Sequence, residues 1–293
     1  MSFEMRPNTR YRMPVVFGPA PGPRQKADGT PWTPEETGTM NAQWLTIKYL
    51  TSREKIEKLL PPCFALRGEP VVAVSFSYFK NLWWLAGRGY GIVFVDVPVV
   101  FTGKSETIEG HFCLAMWEGT PDAIMTGREE LGFPKLFADI PEYVTDREAG
   151  SVEGFASWFG FKFVEFQASS LEPAQFDGSV PGSGGPALFY KYMPRTSPFG
   201  REGGDVACVT TSAPVPGQQS WAAPMKFHES SLKWTGTGEV RWNKAAFEQL
   251  PLTYHIVNGM ADLDILEYRG AEMVEFSGPG VGVWANWMRS AEI

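Results

Sequence analysis

The sequence is poor in the residue types that most often bind metal ions or form covalent cross-links. In 293 residues it has three cysteines and three histidines, namely Cys63, Cys113, Cys208, His111, His228 and His255. An odd number of widely spaced cysteines gives no disulfide framework, and none of these residues has the spacing of a zinc site. We therefore expect reduced thiols, no metal ion and a cytoplasmic location.

Clusters of basic residues and long hydrophobic runs are also missing. The formal net charge is −7 and no stretch concentrates lysine and arginine, so we expect no nucleic-acid partner. The longest apolar runs have about 10 residues, which is too short to span a bilayer. A secretory signal would show a basic patch followed by an apolar run, and the N-terminal residues have no such pattern. We therefore expect neither a nucleic acid nor a membrane as a partner.

Hydrophobic residues make up 43% of the chain and aromatic residues 14%, the balance of a globular protein. The length is compatible with one large domain, and we expect residues 1–293 to form a single domain. Proline and glycine are dense in Gly18-Pro19-Ala20-Pro21-Gly22-Pro23. This composition predicts that residues 1–40 form an extended segment, here called the N-terminal arm.

The rest of the chain is dominated by short runs of β-branched and aromatic residues. Residues 71–79, 92–101, 111–117 and 252–257 are examples, and the pattern predicts about ten strands with about three short helices. The strands do not alternate with long helices, which disfavours a doubly wound parallel sheet. We predict an α+β protein, mainly antiparallel β, arranged as a barrel or cone with peripheral helices.

Thr120-Pro121-Asp122 carries a strong helix start signal. Threonine can cap the helix, proline suits its first position and aspartate complements its dipole. We expect this helix to run through Arg128 and to end near Gly132. Phe133 precedes a proline and is therefore biased toward extended geometry. Lys135 is predicted to lie at the junction of the helix with the next strand.

Lys135 is the strongest candidate for chemistry because its neighbours in sequence are apolar. Desolvation disfavours the ammonium form of a lysine, and a neutral amine can attack a ketone to form a Schiff base. The alternative is a lysine whose stem is packed and whose head is in water.

The order Asp122-Ala123-Ile124, Gly127-Arg128-Glu129 and Phe133-Pro134-Lys135 resembles the signature of the acetoacetate decarboxylase family. Weaker matching blocks lie in the same order at 55–61, 190–194 and 250–272, so the resemblance covers roughly residues 43–277. It implies a β-barrel or cone around a buried, largely apolar pocket, with no metal or organic cofactor. It also implies a homo-oligomer, Lys135 as the nucleophile, and a small-molecule keto acid or other carbonyl compound as the partner.

Three positions depart from the family pattern. The second lysine that follows the nucleophile in acetoacetate decarboxylase is Leu136 here, and the early active-site arginine falls at Ala42. The Tyr-x-Glu element appears as Tyr90-Gly91-Ile92, and no glutamate occurs between Glu69 and Glu106. We interpret these losses as evidence for a substrate other than acetoacetate, one that is larger or more apolar.

The catalytic candidates are Lys135, Arg128 and Glu129. Arg128 and Glu129 could alternatively form an ion pair that fixes the helix end. The candidates for substrate binding are Trp83, Trp84, Tyr90, Ile92, Phe133 and Tyr190, with His228 as a further pocket candidate. The two tryptophans could instead serve packing or an oligomer contact.

Three functions fit these residues. The leading one is a cofactor-independent carbon–carbon lyase that decarboxylates a β-keto acid through an imine on Lys135. The second is an aldolase-dehydratase or cyclase that uses the same imine. The third is a non-catalytic barrel that binds a small apolar ligand.

Overall fold

The computed structural model describes residues 4–178, 184–197, 203–217, 231–279 and 288–293. Within these ranges the dominant elements are fourteen β-strands that belong to one sheet. In chain order they are β1 Thr39–Leu50, β2 Phe64–Leu66, β3 Val71–Leu82, β4 Arg88–Thr102, β5 Thr107–Glu118, β6 Lys135–Phe137, β7 Val144–Asp146, β8 Ser151–Trp158, β9 Phe161–Ala174, β10 Ala187–Pro194, β11 Gly204–Thr211, β12 Leu232–Trp242, β13 Glu267–Pro279 and β14 Arg289–Ala291.

The helices of the described residues are short. They are α1 Pro34–Thr37, α2 Arg53–Glu57, α3 Pro121–Thr126 and α4 Tyr254–Ala261, with a π-helical turn at Gly127–Leu131 and 3-10 turns at Val15–Phe17 and Trp83–Leu85. None of them has the length and apolar character needed to cross a membrane.

The sheet runs in the order β14-β11-β10-β5-β4-β3-β1-β13-β12-β9-β8-β7, with β2 and β6 pairing beside this path. All pairs are antiparallel except β10 with β5 and β5 with β6. No pairing among the described strands joins β14 to β7, so the sheet is cone-like and not a closed barrel. The predicted α+β class, mainly antiparallel, is confirmed.

Strands in the middle of the sheet bury both of their faces. On β1, Leu45, Ile47 and Tyr49 enter the larger core, whereas Met40, Ala42 and Trp44 enter a second cluster. Successive side chains of a strand point to opposite faces, so the two clusters lie on opposite sides of the sheet. The second group is here called the cavity-side cluster.

The larger core forms because the sheet curls back on itself. Phe76 of β3 stacks on Phe166 of β9 with ring centroids 3.7 Å apart. Trp117 of β5 likewise meets Phe163 of β9 at 5.3 Å. β3 and β9 are four positions apart in the strand order, so these contacts cross the interior and do not join neighbouring strands.

The predicted strand at residues 252–257 is wrong. Residues 252–257 enter a helix, since α4 begins at Tyr254 and ends at Ala261. Val257 and Met260, three residues apart, are its buried residues. A short apolar run that contains β-branched residues fits a strand and a buried helix equally well by pattern, and here the packing face decides for the helix.

Candidate active site

The cavity-side face carries a row of four side chains on four neighbouring strands. Trp44 of β1 is the cross-strand partner of Ser77 on β3, and Ser77 is the partner of Ile92 on β4. Ile92 is in turn the partner of Glu118 at the end of β5. Side chains directly opposite each other lie on the same face, so the row leads from the sheet centre to this carboxylate.

Lys135 extends the site by one more strand. The chain leaves the π-helical turn at Gly132, whose φ of +77° closes the helix in the left-handed conformation. β6 then begins at Lys135 and runs parallel to β5, with Met116 opposite Lys135. The predicted junction between helix and strand is confirmed, and it brings the lysine beside Glu118.

A cavity of about 80 Å³ lies between this sheet face, the segment 123–133 and the N-terminal arm. Most of its lining is apolar and aromatic, and the titratable side chains in the wall are few. The residues are Pro23, Arg24, Met40, Trp44, Ser77, Phe79, Leu82, Trp84, Tyr90, Ile92, Phe94, Met116, Glu118, Ala123, Thr126, Leu131, Phe133 and Lys135.

The Lys135 amine is buried and has close polar partners. The residue is only 7% exposed. Its Nζ lies 2.7 Å from Glu118 Oε1 and donates a hydrogen bond to the carbonyl oxygen of Ala123 at 3.1 Å. The ring of Phe133 lies on another side, with its centroid 5.3 Å from Nζ. The amine is therefore held in one place beside the cavity.

Glu118 is the most buried charged group of the site, at 1% exposure. Burial raises the pKa of its carboxyl above the ordinary value, and the nearby Lys135 amine acts in the opposite direction. Only Oε1 meets the lysine. Oε2 is buried and has no hydrogen-bond partner among the described residues. A buried oxygen left without a partner is costly, so it marks a place where a ligand group or water could bind.

The glycine of the Gly-Arg-Glu motif makes room for the lysine. A Cβ built on Gly127 would lie 2.4 Å from Lys135 Cδ and Cε and 2.6 Å from Nζ. The backbone of Gly127 is ordinary helix, with φ −70° and ψ −45°. The position therefore needs glycine for space and not for its conformation.

The N-terminal arm supplies one wall of the cavity and is fastened to Glu130 on the π-helical turn. Arg24 Nε donates to Glu130 Oε2 at 2.6 Å, Arg12 pairs with Oε1, and Arg10 lies 4.0 Å away. The side chains of Arg24 and Glu130 are 3% and 6% exposed. This group is here called the arm clamp. It holds Pro23 and Arg24 at the cavity.

The structure brings together five of the nine predicted site residues. Lys135, Trp84, Tyr90, Ile92 and Phe133 all line the cavity. Burial raises the pKa of Tyr90 well above its usual range, and the Glu118 carboxylate adds to this effect.

The other four do not line the cavity. Tyr190 packs against the larger core, and its neighbour Phe189 faces the cavity side and stacks on Phe133. Arg128 donates to the backbone carbonyl of Lys135 at 2.9 Å, so it braces the chain instead of facing substrate. Glu129 uses its backbone carbonyl to accept a hydrogen bond from Lys191, and Trp83 also lies off the cavity. His228 lies outside the described residues.

The sequence analysis missed two charged residues of the cavity wall, Glu118 and Arg24. The available signal for Glu118 was a lone carboxylate that ends an apolar strand just before the helix leading to Lys135. Its register opposite Ile92 supplies a carboxylate beside the position where the family pattern has its glutamate. No local signal singled out Arg24, which reaches the site only because the arm folds back.

A second buried carboxyl, Asp96, is absent from the cavity lining. Its Oδ2 lies 3.9 Å from His111 Nε2, and it also contacts the buried Cys113 thiol. Burial raises the pKa of Asp96 to about 6, although both neighbours act in the opposite direction. Burial therefore outweighs the two neighbours at this carboxyl.

A curled, mainly antiparallel sheet with a buried lysine beside an apolar cavity defines the class of acetoacetate decarboxylase-like proteins. The profile of the family described as acetoacetate decarboxylase matches residues 18–277. The chain belongs to this family.

Individual relatives are distant. An acetoacetate decarboxylase of Clostridium botulinum (strain Eklund 17B / Type B) is 24% identical over 138 residues, which are 45% of this chain and 54% of the relative. This chain therefore matches about half the length of that protein.

Solved structures agree over more of the chain. Acetoacetate decarboxylase from Legionella pneumophila has a TM-score of 0.58 at 18% identity, covering 87% of this chain and 88% of that one. The enduracididine biosynthesis enzyme MppR was solved in complex with the condensation product of pyruvate and imidazole 4-carboxaldehyde. It has a TM-score of 0.59 at 16% identity, covering 82% of this chain and 85% of that one. An acetoacetate decarboxylase-like enzyme from Sphingomonas wittichii RW1 has a TM-score of 0.59 at 14% identity, covering 87% of this chain and 91% of that one. At these identities the likeness shows the fold.

Proposed function

We propose that the protein is a cofactor-independent carbon–carbon lyase that forms an imine between Lys135 and a small β-keto acid. The observation that carries the proposal is the position of the Lys135 amine. It is the one lysine among the described residues that line the apolar cavity. Apolar walls exclude water and strengthen the electrostatic effects on which imine chemistry depends.

The reaction follows from the chemistry of an amine and a ketone. The neutral amine attacks the ketone carbon, and loss of water together with uptake of one proton gives a protonated imine. The bond to the carboxylate then breaks, its electron pair moves toward the imine nitrogen, and carbon dioxide leaves an enamine. A proton from solvent returns to the carbon. Water hydrolyses the protonated imine and releases the ketone, the free amine and one proton.

The cavity changes the expected substrate. We predicted a substrate larger or more apolar than acetoacetate. The apolar lining suits an apolar substituent, but a volume of about 80 Å³ does not suit a large one. A dry cavity of ~150 Å³ accepts a benzene molecule. We therefore propose a short-chain keto acid and drop the larger one.

A second candidate is condensation or dehydration through the same imine, as in an aldolase-dehydratase. Two observations favour it. A carboxyl group able to move protons, Glu118, contacts the amine, and aldol chemistry needs such a group. A structural relative, MppR, has been solved with a condensation product of pyruvate.

Reductive trapping tests the common intermediate. The protein is mixed with acetoacetate, 3-oxopentanoate or pyruvate, reduced with cyanoborohydride and mapped by mass spectrometry. We expect the added mass on Lys135, and loss of turnover and of this adduct in Lys135→Ala. Released carbon dioxide separates the two candidates, because condensation of pyruvate with an aldehyde releases none.

Lys191→Ala is the matched control. Lys191 is a half-buried lysine close to the same turn, where it donates to the Glu129 carbonyl at 2.7 Å, but it does not line the cavity. Its loss should leave trapping at Lys135 intact. Turnover by Lys135→Ala at the parental rate would refute the proposal, and wild-type protein with no adduct would favour a binding protein.

A further inference from the structure

We propose that Glu118 is a catalytic acid–base residue that passes protons between the Lys135 amine and the bound carbonyl compound. This inference rests on the proposed imine chemistry and adds a residue to it. Glu118 is absent from the sequence signature that identifies Lys135, and its place in the site comes from the register of β4 with β5.

The contact with the amine is direct. Glu118 Oε1 lies 2.7 Å from Lys135 Nζ, within the range for proton transfer along a hydrogen bond. Both groups are almost completely buried, at 1% and 7% exposure, so bulk solvent has little access to the proton that they share. Glu118 is also the only carboxylate among the described cavity-lining residues.

The second oxygen gives an independent argument. If Glu118 served only to hold the lysine, its buried oxygens would be expected to have partners within the protein. Oε2 has none among the described residues, although the side chain lines the cavity. One oxygen thus serves the amine and the other is left for a molecule in the cavity.

Burial makes the carboxyl suitable for this task. Because desolvation raises the pKa of Glu118, its acid form is accessible nearer neutral pH than that of an exposed glutamate. A carboxyl whose acid form is easier to reach can both donate and accept a proton within one turnover.

The proton steps balance as follows. The proton on the lysine ammonium moves to Glu118, which leaves a neutral amine and a carboxylic acid. The amine attacks the ketone carbon, and the acid protonates the ketone oxygen to give a carbinol. Glu118 takes the extra proton from nitrogen and returns it to the hydroxyl, which leaves as water. The products are the protonated imine and the Glu118 carboxylate, so net charge is unchanged.

The Glu118 carboxylate can also serve a later step of the reaction. It can remove a proton from the carbon next to the imine, which gives an enamine and a carboxylic acid, and it can return that proton. In deuterium oxide the acid becomes deuterated, so the returning atom is deuterium. Exchange of the methyl hydrogens of acetone therefore reports Glu118 chemistry without decarboxylation.

The test compares two reactions at Lys135 in Glu118→Gln. Acetylation by acetic anhydride needs only a free amine. The acetone exchange needs proton transfer as well. We expect acetylation of Lys135 to be as fast as in wild type or faster, since an opposite charge that favours the ammonium has been removed. We expect acetone exchange to fall by about 100-fold or more.

Asp96→Asn is the matched control, because it also replaces a buried carboxyl by an amide but lies off the cavity. In Asp96→Asn, the rate of Lys135 acetylation and the rate of acetone exchange should both stay at the wild-type value. If Glu118→Gln does not fold, Glu118→Asp replaces it. The shorter acid should then preserve acetylation and lose most of the exchange.

The outcomes separate this inference from the proposed function. Unchanged exchange in Glu118→Gln, or equal loss of exchange and acetylation, would overturn a proton-transfer role and leave Glu118 as a structural partner. Wild-type protein that neither exchanges acetone nor yields a Lys135 adduct would instead overturn the imine chemistry itself.

Discussion

Gly127 shows how one missing side chain makes room for the proposed nucleophile, Lys135. The Lys135 side chain lies over this glycine, and a methyl group there would come within 2.6 Å of the amine nitrogen. The atoms in conflict belong to the flexible end of a lysine and not to backbone. A substitution should therefore move the amine more than it disturbs the fold.

We expect Gly127→Ala to reduce trapping of acetone on Lys135 by about 100-fold, since displacement of a reacting group by about 1 Å has effects of that order. The helical backbone accepts alanine, so the thermal midpoint should change little. Initial rates of adduct formation, followed by mass spectrometry, give the measurement.

Gly259→Ala in α4 is the control, because a Cβ there meets no atom within 4 Å. It should preserve trapping and stabilise the helix by up to about 1 kcal/mol. Wild-type trapping in Gly127→Ala would show that the amine is not held by this contact.

Asp96 gives a pH-dependent prediction. Its pKa is raised from 3.8 to about 6 in the folded protein, which corresponds to about 3 kcal/mol. The stability from the protonated acid is fully present below about pH 4 and is lost as the pH rises through 6. Asparagine stays neutral throughout this range.

We therefore expect Asp96→Asn to gain stability relative to wild type, by up to about 3 kcal/mol, between pH 4 and pH 7.5. Urea unfolding at a series of pH values measures the difference. A difference that is constant with pH would show that the Asp96 carboxyl is not held protonated by burial.

Among single residues, the sequence predicted the position of Lys135, because this lysine is part of a local motif. Lys135 follows a helix end and a proline, and both signals are contiguous. Glu118 and Arg24 enter the site through strand register and through folding of the arm, which no local pattern encodes. Tyr190 was misplaced by one residue, which in a strand is the difference between the two faces.

The arm is the element whose attachment is easiest to test. Three arginines from it meet one carboxylate, Glu130, and two of the side chains involved are almost fully buried. Removing the carboxylate leaves buried charge without its partner, which typically costs 3–5 kcal/mol. The arm should then detach locally.

We expect Glu130→Gln to increase the rate of trypsin cleavage after Arg10, Arg12, Arg24 and Lys26 by at least about tenfold. Glu142→Gln is the control, because it breaks an exposed ion pair with Lys80. Cleavage of both variants at the wild-type rate would mean that the arm clamp does not hold the arm.

Among the elements, the sequence predicted best where start and stop signals coincide. The helix from Thr120 ends as expected at Gly132, because proline and glycine act through backbone geometry alone. The segment 252–257 was assigned to a strand because its sequence pattern fits a strand and a buried helix equally well. Its packing face, which the sequence does not reveal, makes it helical. The arm was expected to be extended, but its contact with the site depends on Glu130, more than 100 residues away.

For the whole molecule, the sheet and the arm together limit the size of the cavity, and so of the proposed substrate. With the arm in place the cavity has about 80 Å³. We expect kcat/KM to fall at least about tenfold from acetoacetate to 3-oxo-3-phenylpropanoate, because a phenyl ring overfills the space. Trp84→Ala should remove part of one wall, enlarge the cavity and reduce the difference in kcat/KM between the two substrates.

Preference of the wild type for the phenyl compound would show that the arm moves aside to enlarge the site. The predicted homo-oligomer stays a prediction at this scale.

The larger core and the residues of the proposed active site lie on opposite faces of the same strands. The aromatic pairs that close the curled sheet lie in the larger core, and the residues around Lys135 lie on the reverse of β1, β3, β4 and β5. Alternate positions of one strand can therefore be altered with separate effects. Such a division makes the scaffold evolvable, because new specificities can be explored at one set of positions while the other keeps the protein folded.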